Sequence, residues 1–134
     1  MHELVERIQE PELCYVFAKN ATRRGHPELA LQAHRRAVDL RAEQHEAQTE
    51  TDLDALRAIY AYEEALSFNK GKRTRATGTW QMVNKDGLLS AIQRRVQSGS
   101  TRDVMSALQE LGMEDYSFEA FARRHPDAVE RAAA

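Results

Sequence analysis

Apolar residues recur at intervals of three and four along nearly the whole chain, and no stretch alternates apolar with polar as a half-buried strand would. The pattern predicts an all-α chain, a single compact domain of six to eight short helices. A short first helix is expected over "HELVERIQ". A second begins at Pro11, whose missing N–H suits a first helical turn, and ends at Gly25. Pro27 opens a third, in which Leu29, Ala30, Ala33, Ala37 and Leu40 share one face and Arg and Glu the other. Residues 11–47 therefore form an N-terminal antiparallel helical hairpin.

A connecting helix is expected over 52–69, capped by Thr51 or Asp52, with an apolar stripe of Leu53, Leu56, Ile59 or Tyr60, and Leu66. It frays into "KGKRTRATGTWQ", where Gly71 and Gly78 act as breakers. The segment 70–98 then reads as two helices around Asp86-Gly87. C-terminal helices follow over 100–126, started by Ser100 or Thr101 and interrupted at Gly112, and the tail "AVERAAA" is expected to fray.

Length and charge sharpen this picture. The 134 residues make one ordinary domain with enough apolar content for a core. No apolar run approaches the roughly 18 residues of a membrane span, and "MHELVERIQE" lacks the basic and apolar regions of a signal peptide. Cys14 is the single cysteine, so no internal disulfide can form and a reducing, cytoplasmic setting is expected.

The net charge of −2 hides an asymmetry. From Asn69 to Arg95 seven bases face one acid, Asp86, whereas the rest of the chain carries 12 bases and 20 acids. Such a local excess suggests an anionic partner. The candidate phosphate clamps are Lys70, Lys72, Arg73, Arg75, Arg94 and Arg95, with Lys85 adding charge and Thr77 and Thr79 offering hydroxyl donors. Trp80 is the candidate anchor or base-stacker. The stretch from Thr79 to Val96 also has about the length of a helix-turn-helix, with Arg94 and Arg95 on its second helix. The competing expectation places Trp80, Met82 or Val83, Leu88, Leu89, Ile92 and Val96 in the core and leaves the bases as a solvated rim.

Other chemistry is poorly served. "NKGKRT" lacks a phosphate loop's first glycine, since Leu66 stands there, and its final hydroxyl, since Arg73 stands there. His34 and His45 lie three helical turns apart, too far to share a metal, and neither metal nor cofactor is expected. Glu63 and Glu64 diverge by about 100° on a helix and read as surface charge. A nuclease-like role for them is the least favoured reading. Cys14 shares a face with Phe17 and Ala18 and reads as packing. Near the C-terminus, Phe118 and Phe121 read as core. Glu114, Asp115 and Tyr116 could instead join them in an aromatic-acidic docking surface.

Ala18 in one helix, Ala30 and Ala37 in the next, Gly25 at the turn and the rhythm of "ELALQAHRRAVDL" have a known counterpart. On these positions the stretch from Cys14 to Ala42 resembles one tetratricopeptide-type hairpin. The closing proline is replaced by Ala42 and no second copy follows, whereas a solenoid needs about three repeats. The resemblance implies a local packing mode and a protein-binding groove. The remainder, from "RATGTWQMVNKDG" to "EDYSFEAFARRHP", is similar to a module met in uncharacterised bacterial proteins, which implies no activity.

The functional expectation is a small non-enzymatic module that contacts the phosphates of a nucleic acid through 70–98, without a membrane partner. The alternative is an adaptor or inhibitor that binds a larger protein through its hairpin and acidic surface. An apolar helix face left over after the core is filled would favour a homodimer.

Overall fold

The computed structural model describes residues 1–133. The described residues form α1 (Glu3–Glu6), α2 (Pro11–Arg23), α3 (Pro27–Glu43), α4 (Glu50–Lys70), α5 (Thr77–Asp86), α6 (Leu88–Ser98), α7 (Arg102–Glu110), a 3-10 turn (Glu114–Tyr116), α8 (Phe118–Arg124) and α9 (Pro126–Ala133), joined by short loops. Among the described residues there is no strand, and no helix is long and apolar enough to cross a membrane.

The helix boundaries have local causes. Pro11 and Pro27 occupy the first turns of α2 and α3. Thr49, Thr101 and Ser117 cap α4, α7 and α8, each accepting a hydrogen bond from the backbone N–H three residues on, at 3.0, 3.2 and 3.0 Å. The cap of α4 thus lies two residues before the expected Thr51. Gly71 closes α4 in the left-handed conformation (φ 72°), so the helix stops sharply where fraying was expected. Pro126 starts α9 instead of ending order, because proline is as good a first-turn residue as it is a terminator. That helix takes the count to nine among the described residues, one more than the upper expectation. Ala134 of the expected fraying tail lies outside them.

Three clusters of buried side chains make the core. In the first, Cys14, Ala18 and Ala21 of α2 meet Ala30, Ala33 and Ala37 of α3. Small side chains let the two backbones approach and form the hairpin. In the second, Val38 of α3 and Ala61 and Ala65 of α4 pack on Val104, Ala107 and Leu108 of α7, with Met113 beyond it. In the third, Ala55, Ala58 and Ile59 of α4 meet Ile92 of α6 and Phe118 and Phe121 of α8. Phe118 and Phe121 are therefore core, as their spacing suggests. Tyr116 donates its hydroxyl to Asp39, and Arg35 forks onto Asp115 at 2.6 and 2.9 Å, so the acidic-aromatic stretch is spent on joining the 3-10 turn to α3.

The common member is α4. It is covered by α3 and α7 along one side and by α6 and α8 along another. Its alanines at 55, 58, 61 and 65 are all at most 1% exposed, as a helix surrounded by others requires.

Candidate nucleic-acid interface

The basic loop, residues 71–76, leaves α4 at Gly71 and enters α5 at Thr77. Its inner side is held by three residues from the last turns of α4. Glu63 is 5% exposed, and its Oε2 accepts hydrogen bonds from the Ala76 N–H (2.8 Å) and the Trp80 indole N–H (2.7 Å). Glu64 is 2% exposed, and its Oε2 accepts from Arg73 Nη1 at 3.0 Å. Ser67 Oγ accepts from the Thr74 N–H at 2.9 Å.

Glu63 and Glu64 are thus interior groups, not surface charge. The 100° between them is the reason each is used differently. With α4 covered on several sides, one side chain is sent under α5 and the other toward α2 and α3. The guanidinium of Arg73 also lies over the Tyr15 ring at 4.1 Å, which ties the loop to α2.

Burial pushes the Glu64 carboxyl up, but the His34 and Arg73 contacts outweigh it and hold it below its ordinary 4.5. Arg73 is the better placed of the two, because His34 Nδ1 stands 3.5 Å from Oε2. A carboxyl depressed on folding contributes stability above its unfolded value and loses it as pH falls through the folded value. Urea midpoints should therefore decline as pH drops below about 4.5, the ordinary carboxylate range. Glu64→Gln should be less stable at neutral pH but show a shallower acid decline. An unchanged acid limb in that variant would remove Glu64 from the account.

The candidate residues divide into two groups. Arg73 is committed to Glu64. Arg94 pairs with Asp86 at 3.1 Å. Arg95 lies back over Tyr62 at 4.5 Å. Thr79 is 3% exposed and faces the interior. Trp80 stacks on His45, the rings 5.5 Å apart and within 2° of parallel, while its N–H is held by Glu63. Trp80 is therefore partly buried against the third cluster, close to the core expectation, and its ring and N–H are engaged within the fold. Lys70, Lys72, Arg75, Thr77 and Lys85 are exposed, and no carboxylate lies within ion-pair distance of these four bases among the described residues.

A helix-turn-helix does not form. α5 and α6 are joined by Gly87 alone, in a conformation open only to glycine (φ 96°, ψ 163°). The motif needs a turn of about three or four residues, and here Arg95, on the second helix, folds inward.

Two concavities flank Arg73. One, of about 230 Å³, is polar and gathers Arg41, Tyr60, Glu63, Thr74 and Arg75 around it. The Tyr60 hydroxyl there hydrogen bonds with His45. The other, of about 220 Å³, opens beside Phe68 and Lys72 and reaches inward to Glu64 and His34. Phe68 is 49% exposed and was missed in the sequence because it falls at the end of an apolar stripe. The burial of the two glutamates did leave a trace: the alanines at 55, 58, 61 and 65 fall on several sides of α4 and mark its middle as covered by other helices.

No protein-family model, curated protein or solved structure matches this chain.

Proposed function

We propose that the chain is a non-enzymatic helical module that binds the phosphate backbone of a nucleic acid through the loop following α4. The observation that carries this reading is the two-sided construction of the loop. Buried carboxylates hold its inner side, while Lys70, Lys72 and Arg75 stay outside with no acid to neutralise them. A preorganised cationic loop loses little conformational freedom on binding, and each base that meets a phosphate releases condensed counterions. Lys85, nine residues after Ala76 along α5, extends the positive surface by about 13 Å at 1.5 Å per residue. Glu63 and Glu64 support the non-enzymatic part, since each has an oxygen engaged in holding the loop.

Lys72→Glu combined with Arg75→Glu should abolish retention on both DNA and RNA while leaving thermal unfolding unchanged. Single changes to alanine should each lower the slope of log K against log salt by about 0.9 on duplex DNA. Undiminished retention by the folded double variant would overturn the reading. Arg73 is unsuited to this experiment, because its removal strands Glu64.

The adaptor reading keeps a specific observation in its favour. Leu13 and Val16 on α2 and Leu4 on α1 are each more than half exposed, and Val16 lies within the Cys14–Ala42 stretch that resembles a protein-binding repeat. A stoichiometric partner that survives nuclease treatment would favour it.

A further inference from the structure

We propose that the cavity between Phe68 and Glu64 receives one unpaired base bearing an exocyclic amino group, so that the preferred ligand is single-stranded nucleic acid. The inference rests on the phosphate-binding reading and adds a base site to it. Trp80 cannot stack on a base, because its ring lies on His45 and its N–H is held. The exposed aromatic beside the loop is Phe68, less than one helical turn before Gly71, and it lines the same cavity as Lys72 and Arg73.

The cavity is built for a flat ring with a donor edge. Its volume of about 220 Å³ is below the roughly 300–1,000 Å³ of sites for larger ligands. Phe68, Leu111 and Tyr15 supply apolar wall. At its inner end two buried polar atoms, Glu64 Oε1 and His34 Nδ1, have no hydrogen-bond partner. Buried acceptors are almost always satisfied in native proteins, so an unmatched carboxylate oxygen marks a place for a donor. The free cation at the mouth is Lys72, which is exposed, whereas Arg73 beside it is held by Glu64.

A nucleotide matches this order of groups: phosphate at the mouth, ring against Phe68, donor at Glu64. Cytosine, adenine and guanine carry an amino group that can donate to Oε1. Thymine and uracil instead present two carbonyl oxygens flanking one N–H, and those oxygens would face the carboxylate with like partial charge. Duplex DNA keeps its bases stacked and would use the loop alone.

Fluorescence anisotropy with labelled single strands of about 12 residues, within the site sizes of single-strand binders, tests this directly. Oligo-dC should bind about tenfold more tightly than oligo-dT. Phe68→Ala, at a half-exposed position that should not disturb folding, should weaken oligo-dC by about tenfold or more and leave duplex binding unmoved. Equal binding of oligo-dC and oligo-dT, or a Phe68→Ala variant that binds oligo-dC like the wild type, overturns the base site alone if Lys72→Glu still weakens both strands and duplex. Absence of binding to single strands and duplex alike by the wild-type chain overturns the base site and the phosphate-binding reading together.

Discussion

Glu63→Ala is expected to destabilise the protein by about 3 kcal/mol and lower its melting temperature by about 10 °C. The carboxylate is the acceptor for two donors that have no other, the Ala76 N–H and the Trp80 indole N–H. Ala76 is 4% exposed, so water cannot easily replace the lost acceptor. Hydrogen bonds to charged groups contribute about 1.5–3 kcal/mol each, and relief of the buried charge offsets part of the sum. The cost is also local. Ala76 is the residue at which the loop becomes α5, so losing its anchor frees the loop and the ring of Trp80 together. Far-UV circular dichroism should show the drop in melting temperature. The fluorescence of Trp80, the one tryptophan, should shift to longer wavelength before global unfolding. Glu63→Gln keeps an oxygen acceptor and should lose less. A loss within the roughly 0.5 kcal/mol typical of surface substitutions would show that the buried carboxylate is not an anchor.

Phe121→Ala should cost about 3–5 kcal/mol, the range for emptying a large aromatic from a core. Phe121 is 0% exposed and belongs to the cluster that joins Ala55, Ala58 and Ile59 of α4 to Ile92 of α6. α8 has only seven residues, too few to be stable alone, so its docking depends on this side chain and on Phe118. The surrounding alanines cannot extend into the space, which keeps the cavity open and places the expected cost high in the range. Chemical unfolding should show a lower midpoint with an unchanged slope. Phe68→Ala makes the contrast: the same change at a half-exposed position should barely move stability. Near-equal stability of the two variants would contradict the assignment of Phe121 as a core hub.

Much of the fold was legible because helix signals are local. Pro11 and Pro27 start helices by their own stereochemistry, Asp86-Gly87 and Ser98-Gly99-Ser100 break them, and Phe118 and Phe121 share a face by spacing alone. Pro126 misled, because the same residue both ends one helix and begins another.

The binding segment was legible as charge but not as geometry. Seven bases in 69–95 are visible to counting, yet counting cannot see that Arg73, Arg94 and Arg95 spend their charge or their planar faces within the fold. Nor could it find the partners of Glu63, which lie 13 and 17 residues further on, across a loop and into another helix.

The sequence alone therefore determined the helical class, most helix starts and stops, and where the positive charge is concentrated, since each depends on neighbours within about one turn of chain. The tertiary structure alone decided which of those charges face outward. A glutamate beside an arginine becomes an interior tether or a surface charge according to how many helices cover its own. That number is set by packing between distant segments, and for α4 it left Glu63 and Glu64 almost wholly buried.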